Sequence, residues 1–411
     1  MIGAVALKYA VRSLFRHTRR TLLSMIGIGV GCGIALVSRS WIGGAAEMQI
    51  RAIAESGGGH IRIVPTEWTQ TRENALRLTD WEDALQIVKS LPVVRSAIIR
   101  ARANGLLAFG NRMSAVEVLG VEPESEAQAN RIVFKAKTEG RYLRPDDRGK
   151  VVIGKNLAKR LDVELHDDLM VTLAGKDEIH SAMLTIVGIL ETGSRDVDAA
   201  ICHTTLHDLE EMTGLPGPAE ISVLLKDYRL IERIQRELAS RVNAESAVIT
   251  WKEVNPGMAA GVDGDRAFTR VLIAIIVTVV ALGIAGAQLA AVLERRREFA
   301  ILTALGMRTR QVVALMFLEA LFIGAGGAVI AILTGGFASY KLHTVGVSLE
   351  FFMGEDFSFG DILLEPRVFG DFGAWLIAYA FAVSITATVM ASLYPAWLAA
   401  RVDPAHSLRT I

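Results

Sequence analysis

The sequence predicts a membrane protein: four transmembrane α-helices, with a large extracytoplasmic α+β domain between helices 1 and 2. Three observations predict it. Four apolar runs, Thr21–Ile42, Phe268–Leu293, Val312–Phe337 and Phe372–Leu393, are each long enough to cross a hydrocarbon core of about 30 Å at about 1.5 Å per residue. Basic residues collect beside some of these runs, and acidic residues beside another. Between the first two runs, strand patterns alternate with helix patterns.

Charge inside the runs is rare, with Arg39 and Glu319 standing out. Arg39 lies near one end of its run and can snorkel to the interface. Glu319 reads as a polar contact between helices, with no partner identifiable from sequence. The first run follows Arg19 and Arg20 as a signal peptide would, but it exceeds a signal core of about 7–15 residues and is expected to be retained. The 411 residues are 51% hydrophobic, and 44 basic side chains balance 44 acidic ones, which removes any bulk-charge case for nucleic acid. Cys32 and Cys202 lie far apart and are not expected to form a structural disulfide.

The flanks set the orientation. Residues 1–20 carry Lys8, Arg12, Arg16, Arg19 and Arg20 without an acidic residue. The segment after the second run holds Arg295, Arg296, Arg297, Arg308 and Arg310 against Glu294 and Glu298. The loop before the fourth run is acidic, with Glu350, Glu355, Asp356, Asp361, Glu365 and Asp371 against Lys341 and Arg367. The positive-inside rule then places both termini and residues 294–311 in the cytoplasm. The expected order is a cytoplasmic amphipathic helix at 1–20, spans at 21–42, 268–293, 312–337 and 372–393, an outer domain at 43–265, an outer loop at 338–371 and an inner tail at 394–411. In the first twenty residues Leu7, Val11, Leu14 and Phe15 share one helical face, and Lys8, Arg12 and Arg16 another. That spacing suits the inner interface of a membrane with anionic lipids.

In the outer region "HIRIVP" (60–65) alternates like a strand, and "LTDWEDALQIVKSLP" (78–92) has helical spacing, a Thr79 or Asp80 cap and a proline stop. Strands at 95–109 and 113–121 follow. "EISVLLK" (220–226), "RLIERIQRELASRV" (229–242) and "SAVITW" (246–251) repeat the strand–helix–strand order. Two such units imply one discontinuous domain carrying an insert, a β-rich lobe at about residues 137–218 with one helix at Lys155–Leu161. "NPGMAAGVDGD" (255–265) reads as a flexible return to the membrane.

Several motifs invite a chemical reading. "GKVVIGKN" (149–156) begins like a phosphate-binding loop, but Asn156 stands where Ser or Thr would hold Mg²⁺, and "VVI" is strand-like. His203 and His207, four apart, could share a helix face with Asp208 adjacent, but no third convergent metal ligand is evident, so a solvated helix start is expected there. Gly27, Gly29, Gly31 and Gly33 form overlapping GxxxG pairs that let two membrane helices approach, with a dimer contact as one use. "ERRREFAILTALGMRTRQV" (294–312) is rich in helix formers and broken by Gly306. Phe299, Leu302 and Leu305 would bury one side, while Arg295–Arg297 and Glu298 would face water or a partner. A short helix tied so closely to two spans is suited to transmit motion.

"ERRREFAILTALGM" (294–307), "VVIGKNLAKRLDVELHDDLMVTL" (151–173) and "YPAWLAARVDPAHSLR" (394–409) resemble signatures of the MacB/FtsX/LolC–LolE superfamily of ABC-transporter permeases. The resemblance covers essentially the whole chain. It implies a split α/β lobe with an inserted β-rich lobe, pairing with a second permease copy as homodimer or heterodimer, and separate LolD/MacB-type ATPase subunits. Those subunits would bind ATP and Mg²⁺, so no cofactor and no catalytic residue are expected in this chain. Arg297, Glu298, Phe299, Ile301, Leu302, Leu305 and Gly306 would form the coupling element seated on the ATPase. In the superfamily's mechanism, ATP-driven closure of the ATPases moves the spans and, through them, the outer domains. Two positions depart from the pattern: His166 stands where glycine is common before Asp167, and His406 where an acidic residue is common. "ESGGGHIRIVP" (55–65) resembles the junction in lipoprotein-releasing permeases, so lipoprotein or other lipid-anchored cargo in a bacterial inner membrane is the leading expectation. The alternatives are a mechanical transmitter driving a cell-wall hydrolase or a tripartite efflux pump, and a membrane-tethered scaffold without transport.

Overall fold

The computed structural model describes residues 18–175, 178–295, 297, 298, 301, 307–349, 358, 359, 362, 363 and 367–400. The amphipathic pattern at residues 7–16 and the tail beyond residue 400 lie outside them. The chain forms two units, one containing the chain up to Ala45, Asp263–Val347 and everything from Val368, the other Ala46–Val262 with Ser348–Arg367.

Among the described residues, four helices are long and apolar enough to cross a membrane. The first spanning helix runs Thr18–Ile53 and the second Pro256–Glu294. The third runs Thr309–Ala331, continues through a π-turn at Ile332–Gly336 and ends as Phe337–Val345. The fourth is Trp375–Ala400, with Pro395 inside it. These helices exceed the apolar runs because backbone hydrogen bonding continues where the side chains turn polar. The stretch 255–265, expected to be flexible, is helical from Pro256. Proline suits a first helical position, and Ala259 and Val262 are buried in the adjoining core, which holds a glycine-rich turn helical against its own propensity.

Small residues bring the spans together. Ser384 Oγ donates to Gly324 O at 2.6 Å, and Ser384, Thr388 and Ser392 are all fully buried between the third and fourth helices. Polar side chains in such a place are satisfied by nearby carbonyls: Thr388 donates to Ser384 O and Ser392 to Thr388 O. On the second helix Phe268, Val271, Ile275, Val279 and Leu282 remain exposed, an apolar stripe suited to hydrocarbon or to another helix.

The second unit is built around strands β1 (Ile61–Pro65), β2 (Val94–Phe109), β3 (Arg112–Val121), β4 (Lys137–Gly140), β5 (Lys150–Gly154), β6 (Asp168–Ala174), β7 (Ile179–Glu191), β8 (Cys202–Thr205), β9 (Glu220–Leu225) and β10 (Ser246–Thr250). Their order is β10-β1-β9-β2-β3-β8-β5-β7-β4, with β6 bridging β2 and β7. Helices α1 (Trp81–Ser90) and α2 (Ile231–Ala239) pack their apolar faces on the β10-β1-β9-β2 half, burying Val88, Ile234 and Leu238 against Ile61, Ile63 and Val223. This is the split α/β lobe.

The β-rich lobe differs from the expected 137–218 segment. Strands β2, β3, β8, β5, β7 and β6 each pair with the next, and β6 returns to β2, so the pairings close a ring. Two of its six members therefore precede residue 137. The cause is the length of β2: residues 94–100 pair with β9, while Gly105–Ala108 pair with β6. One strand serves both lobes. Inward residues Leu107, Leu169, Val171, Leu184 and Ile186 form the ring's core together with Leu157 and Leu161 of the helix Lys155–Leu161. The alternate residues point outward, as the period of two requires, and they include exposed Met113, Met170 and Met183.

His166, in the turn before β6, sits at φ 75°, the left-handed region that a β-carbon disfavours by about 1–2 kcal/mol. Glycine relieves that strain but loses about 0.4–1 kcal/mol through the freer unfolded chain. His166→Gly is therefore expected to stabilise the domain by about 0.5 kcal/mol, read as a small rise in Tm; a fall in Tm would contradict the strain.

Candidate functional site

The end of the membrane bundle that carries residues 294–311 gathers charge from three spanning helices. Arg20 of the first helix donates through Nη1 to Glu294 Oε2 of the second at 3.2 Å, and both side chains are partly or largely exposed. One residue on, Arg295 is only 5% exposed. Its Nε donates to Glu298 Oε2 at 3.1 Å, and its Nη1 lies 3.2 Å from both carboxylate oxygens of Glu319 on the third helix. A crevice of about 40 Å³ opens beside this group, lined by Arg20, Thr21, Ser24, Gln288, Arg295 and Glu319.

The far end of the segment is held by apolar packing. Met307 lies against a cluster of Val292, Val312, Met316, Ala396 and Ala399. Beyond it, Arg308 N–H donates to Gln311 Oε1 at 2.8 Å and opens the third helix. The segment is thus fixed at its start by an ion pair and at its end by burial.

Of the expected coupling residues, Arg297 is exposed, Glu298 is half-buried on Arg295, and Ile301 is 49% exposed. Phe299, Leu302, Leu305 and Gly306 lie outside the described residues. Arg295 corrects the expectation that it faces water or a partner: it turns inward onto Glu319 of the same chain. The sequence held half a signal for this: a carboxylate within an apolar helix requires a partner, but Arg308 and Arg310 lie nearer to Glu319 along the chain than Arg295 does.

The glycine stripe meets the chain's own helices. A β-carbon on Gly29 would strike Ile330, one on Gly31 would strike Val280, and one on Gly33 would lie 3.1 Å from Thr334 Oγ1. Gly27 has nothing within 4 Å. Three of the four glycines therefore pack the first helix against the second and third within one chain.

The outer domain holds a second charged constellation where the chain enters β1. Ala54–Gly58 forms a π-turn in which Gly57 takes φ 101°, a conformation that favours glycine. Its carbonyl accepts from Arg100 Nη1, and the Gly58 carbonyl accepts from Arg62 Nε at 2.7 Å. Each arginine is backed by a buried carboxylate. Arg100 pairs with Glu126 through Nε at 2.8 Å and Nη2 at 2.5 Å, and Arg62 Nη1 lies 3.0 Å from Glu220 Oε2.

Burial would raise both carboxylates, but the arginines outweigh it. Glu126 is held below the usual range by Arg100, and Glu220 is pulled down to about 2 by Arg102, Arg62 and Arg100. Burial lowers His203, which hydrogen-bonds Tyr142 through Nδ1 at 3.0 Å, to about 4 despite the nearby Glu126 charge. His60, whose Nδ1 accepts from Leu225 N–H at 3.1 Å, also falls to about 4, through burial and then Arg51 and Arg95.

All these groups bind protons more weakly folded than unfolded, so stability is lost as pH falls. The histidines act from 6.5 down to about 4, and Glu220 from 4.5 down to about 2. The domain's Tm is expected to fall steadily from neutral pH to about pH 3, and a flat profile over that range would contradict neutral buried histidines.

His203 and His207 do not share a helix. His203 lies in β8 and His207 in the first turn of Leu206–Thr213. The solvated helix start expected here is corrected: His203 and Asp208 are both buried, because β8 runs inside the sheet and Asp208 turns in to bond the Gly149 amide. Among the described residues no group of three potential ligands converges. Gly149 N–H, at the start of the loop-like "GKVVIGKN", is already given to Asp208 Oδ2 at 3.0 Å.

The family described as MacB-like periplasmic core domain matches residues 21–241, and that described as FtsX-like permease C-terminal matches 270–404. The lipoprotein-releasing system transmembrane protein LolC of Xylella fastidiosa is 21% identical over 401 residues, covering 95% of this chain and 93% of that protein. The corresponding LolE of Haemophilus influenzae is 22% identical over 402 residues, covering 94% and 93%. The macrolide export ATP-binding/permease protein MacB of Brucella melitensis is 24% identical over 418 residues, covering 98% of this chain and 60% of that protein.

Proposed function

Because the chain belongs to the ABC-transporter permeases of the MacB/FtsX/LolC–LolE superfamily, we propose that it delivers the energy of a separate ATPase to lipoproteins at a bacterial inner membrane. The termini and residues 294–311 face the cytoplasm, where LolD/MacB-type subunits bind ATP and Mg²⁺ and seat on the segment. The exposed stripe of the second helix meets lipid or a second permease copy, in a homodimer or a heterodimer. Cargo is taken from the outer leaflet and does not pass through a cytoplasmic channel.

The observation that carries this reading is the segment itself. It presents Arg297 and exposed Ile301 while its two ends are anchored on the spans by Arg295 and Met307. A load on such a segment must move the helices that hold it. Lipoprotein cargo is supported by similarity to LolC and LolE over nearly their full length. A second reading is mechanical drive of an efflux pump or cell-wall hydrolase; its efflux form is supported by similarity to the macrolide export protein MacB over 98% of this chain.

The test is reconstitution of the chain with its ATPase in liposomes holding a triacylated lipoprotein. ATP-dependent transfer to a soluble acceptor is expected. ATP turnover that is stimulated by a macrolide or by a hydrolase, with no lipoprotein transfer, would move the assignment to the second reading. Ile301→Asp removes an apolar contact worth about 1.5–3 kcal/mol, so ATPase association should weaken by about ten- to a hundredfold. Unchanged co-purification would count against a seat at this position.

A further inference from the structure

We infer that Arg295 is a positioning residue that ties the 294–311 segment to the third spanning helix, so that motion imposed on the segment reaches that helix through the ion pair with Glu319. This rests on the reading that an ATPase seats on the segment. Arg295 closes the second helix, and 24 residues separate it from Glu319. Nothing in the chain's local geometry requires the two to meet.

The geometry uses what distinguishes arginine from lysine. Nε faces Glu298, on the segment, while Nη1 faces Glu319, on the helix. A guanidinium presents these donors on separate edges of a rigid plane, whereas a lysine has one nitrogen at the end of a flexible stem. The residue is buried, so salt and water do little to loosen the link. Arg20 and Glu294 join the first and second helices next to it, but both are more exposed, and that contact is the weaker one. Arg295 is therefore the firm connection and Arg20 an accessory.

A purely structural role makes a different prediction. Buried ion pairs replaced by apolar residues of similar volume often leave stability unchanged or raised. Arg295→Met combined with Glu319→Leu should then fold, retain Ile301 and bind the ATPase, yet lose the firm link between segment and helix.

The experiment places spin labels at Val30 and Leu321, exposed positions on the first and third helices. The full chain with its co-purified ATPase is studied in phosphatidylethanolamine–phosphatidylglycerol vesicles. In the wild type, ATP with vanadate is expected to shift the label separation by about 2 Å or more. In the double variant, with Tm and ATPase association preserved, that shift should fall to half or less, the Met307 anchor at the other end remaining. A wild-type shift in the double variant overturns the inference. If the double variant does not accumulate, Arg295→Lys is read the same way: a lost or halved shift supports the link, and a full shift overturns it. Failure of any ATPase to co-purify with the wild type would instead sink the proposed function, before the variants are compared.

Discussion

Replacing Glu126 by alanine is expected to destabilise the outer domain by about 3–5 kcal/mol, a large share of what holds a single domain folded. Glu126 is 0% exposed and Arg100 1% exposed. Two hydrogen bonds run between them, and Asn130 Nδ2 donates to the same carboxylate at 2.6 Å. Removing the carboxylate strands a buried guanidinium and an amide together. Arg100 also grips the Gly57 carbonyl, so the loss spreads to the turn that leads into β1. Glu126→Gln keeps the shape and some hydrogen bonding, and should cost less. Hydrogen exchange of β2 and β9 amides in the detergent-solubilised chain would read both effects, and near-wild-type protection in Glu126→Ala would contradict the clamp.

The second large effect lies among the spans. A β-carbon on Gly335 would sit 2.6 Å from Gly33 Cα and from Gly33 O, a clash with backbone that no rotamer can relieve. Gly335→Leu should therefore push the first and third helices apart and cost about 3 kcal/mol. Van der Waals contact between small residues is a main source of helix association in lipid, so the separation is not compensated by apolar burial. Thermal unfolding in detergent should show the loss. Gly27→Ala is the control, since a β-carbon there meets nothing within 4 Å and should leave Tm unchanged.

Much of the architecture was legible in the sequence because it depends on local properties. Hydropathy over about twenty residues is enough to find a span, and strand alternation or the helical spacing of Trp81–Ser90 is written in adjacent side chains. The cap expected from Thr79 or Asp80 is not made, those side chains bonding Glu245 and Asn243 instead. The β-rich lobe was legible only in part. Its ring closes through β2 and β3, and no local pattern announces that a sixteen-residue strand will change partners halfway. The glycine-rich stretch after Asn255 misled for the converse reason: propensity disfavoured a helix that burial of Ala259 and Val262 restores. At the candidate site the charged segment and the lone Glu319 were both visible as anomalies. Their pairing was not, because it joins residues 24 apart across two helices. The same holds for the arginine clamp on Gly57 and Gly58, where Glu220 lies 158 residues from Arg62.

The seating of an ATPase on residues 294–311 is tested most directly by a photo-crosslinking amino acid at Ile301, activated in intact membranes. The expected product is a covalent adduct with a separate nucleotide-binding subunit, its yield changing when ATP is trapped by vanadate. An Ile301 position that reacts freely with water-soluble reagents throughout, and crosslinks to no such subunit, would contradict it.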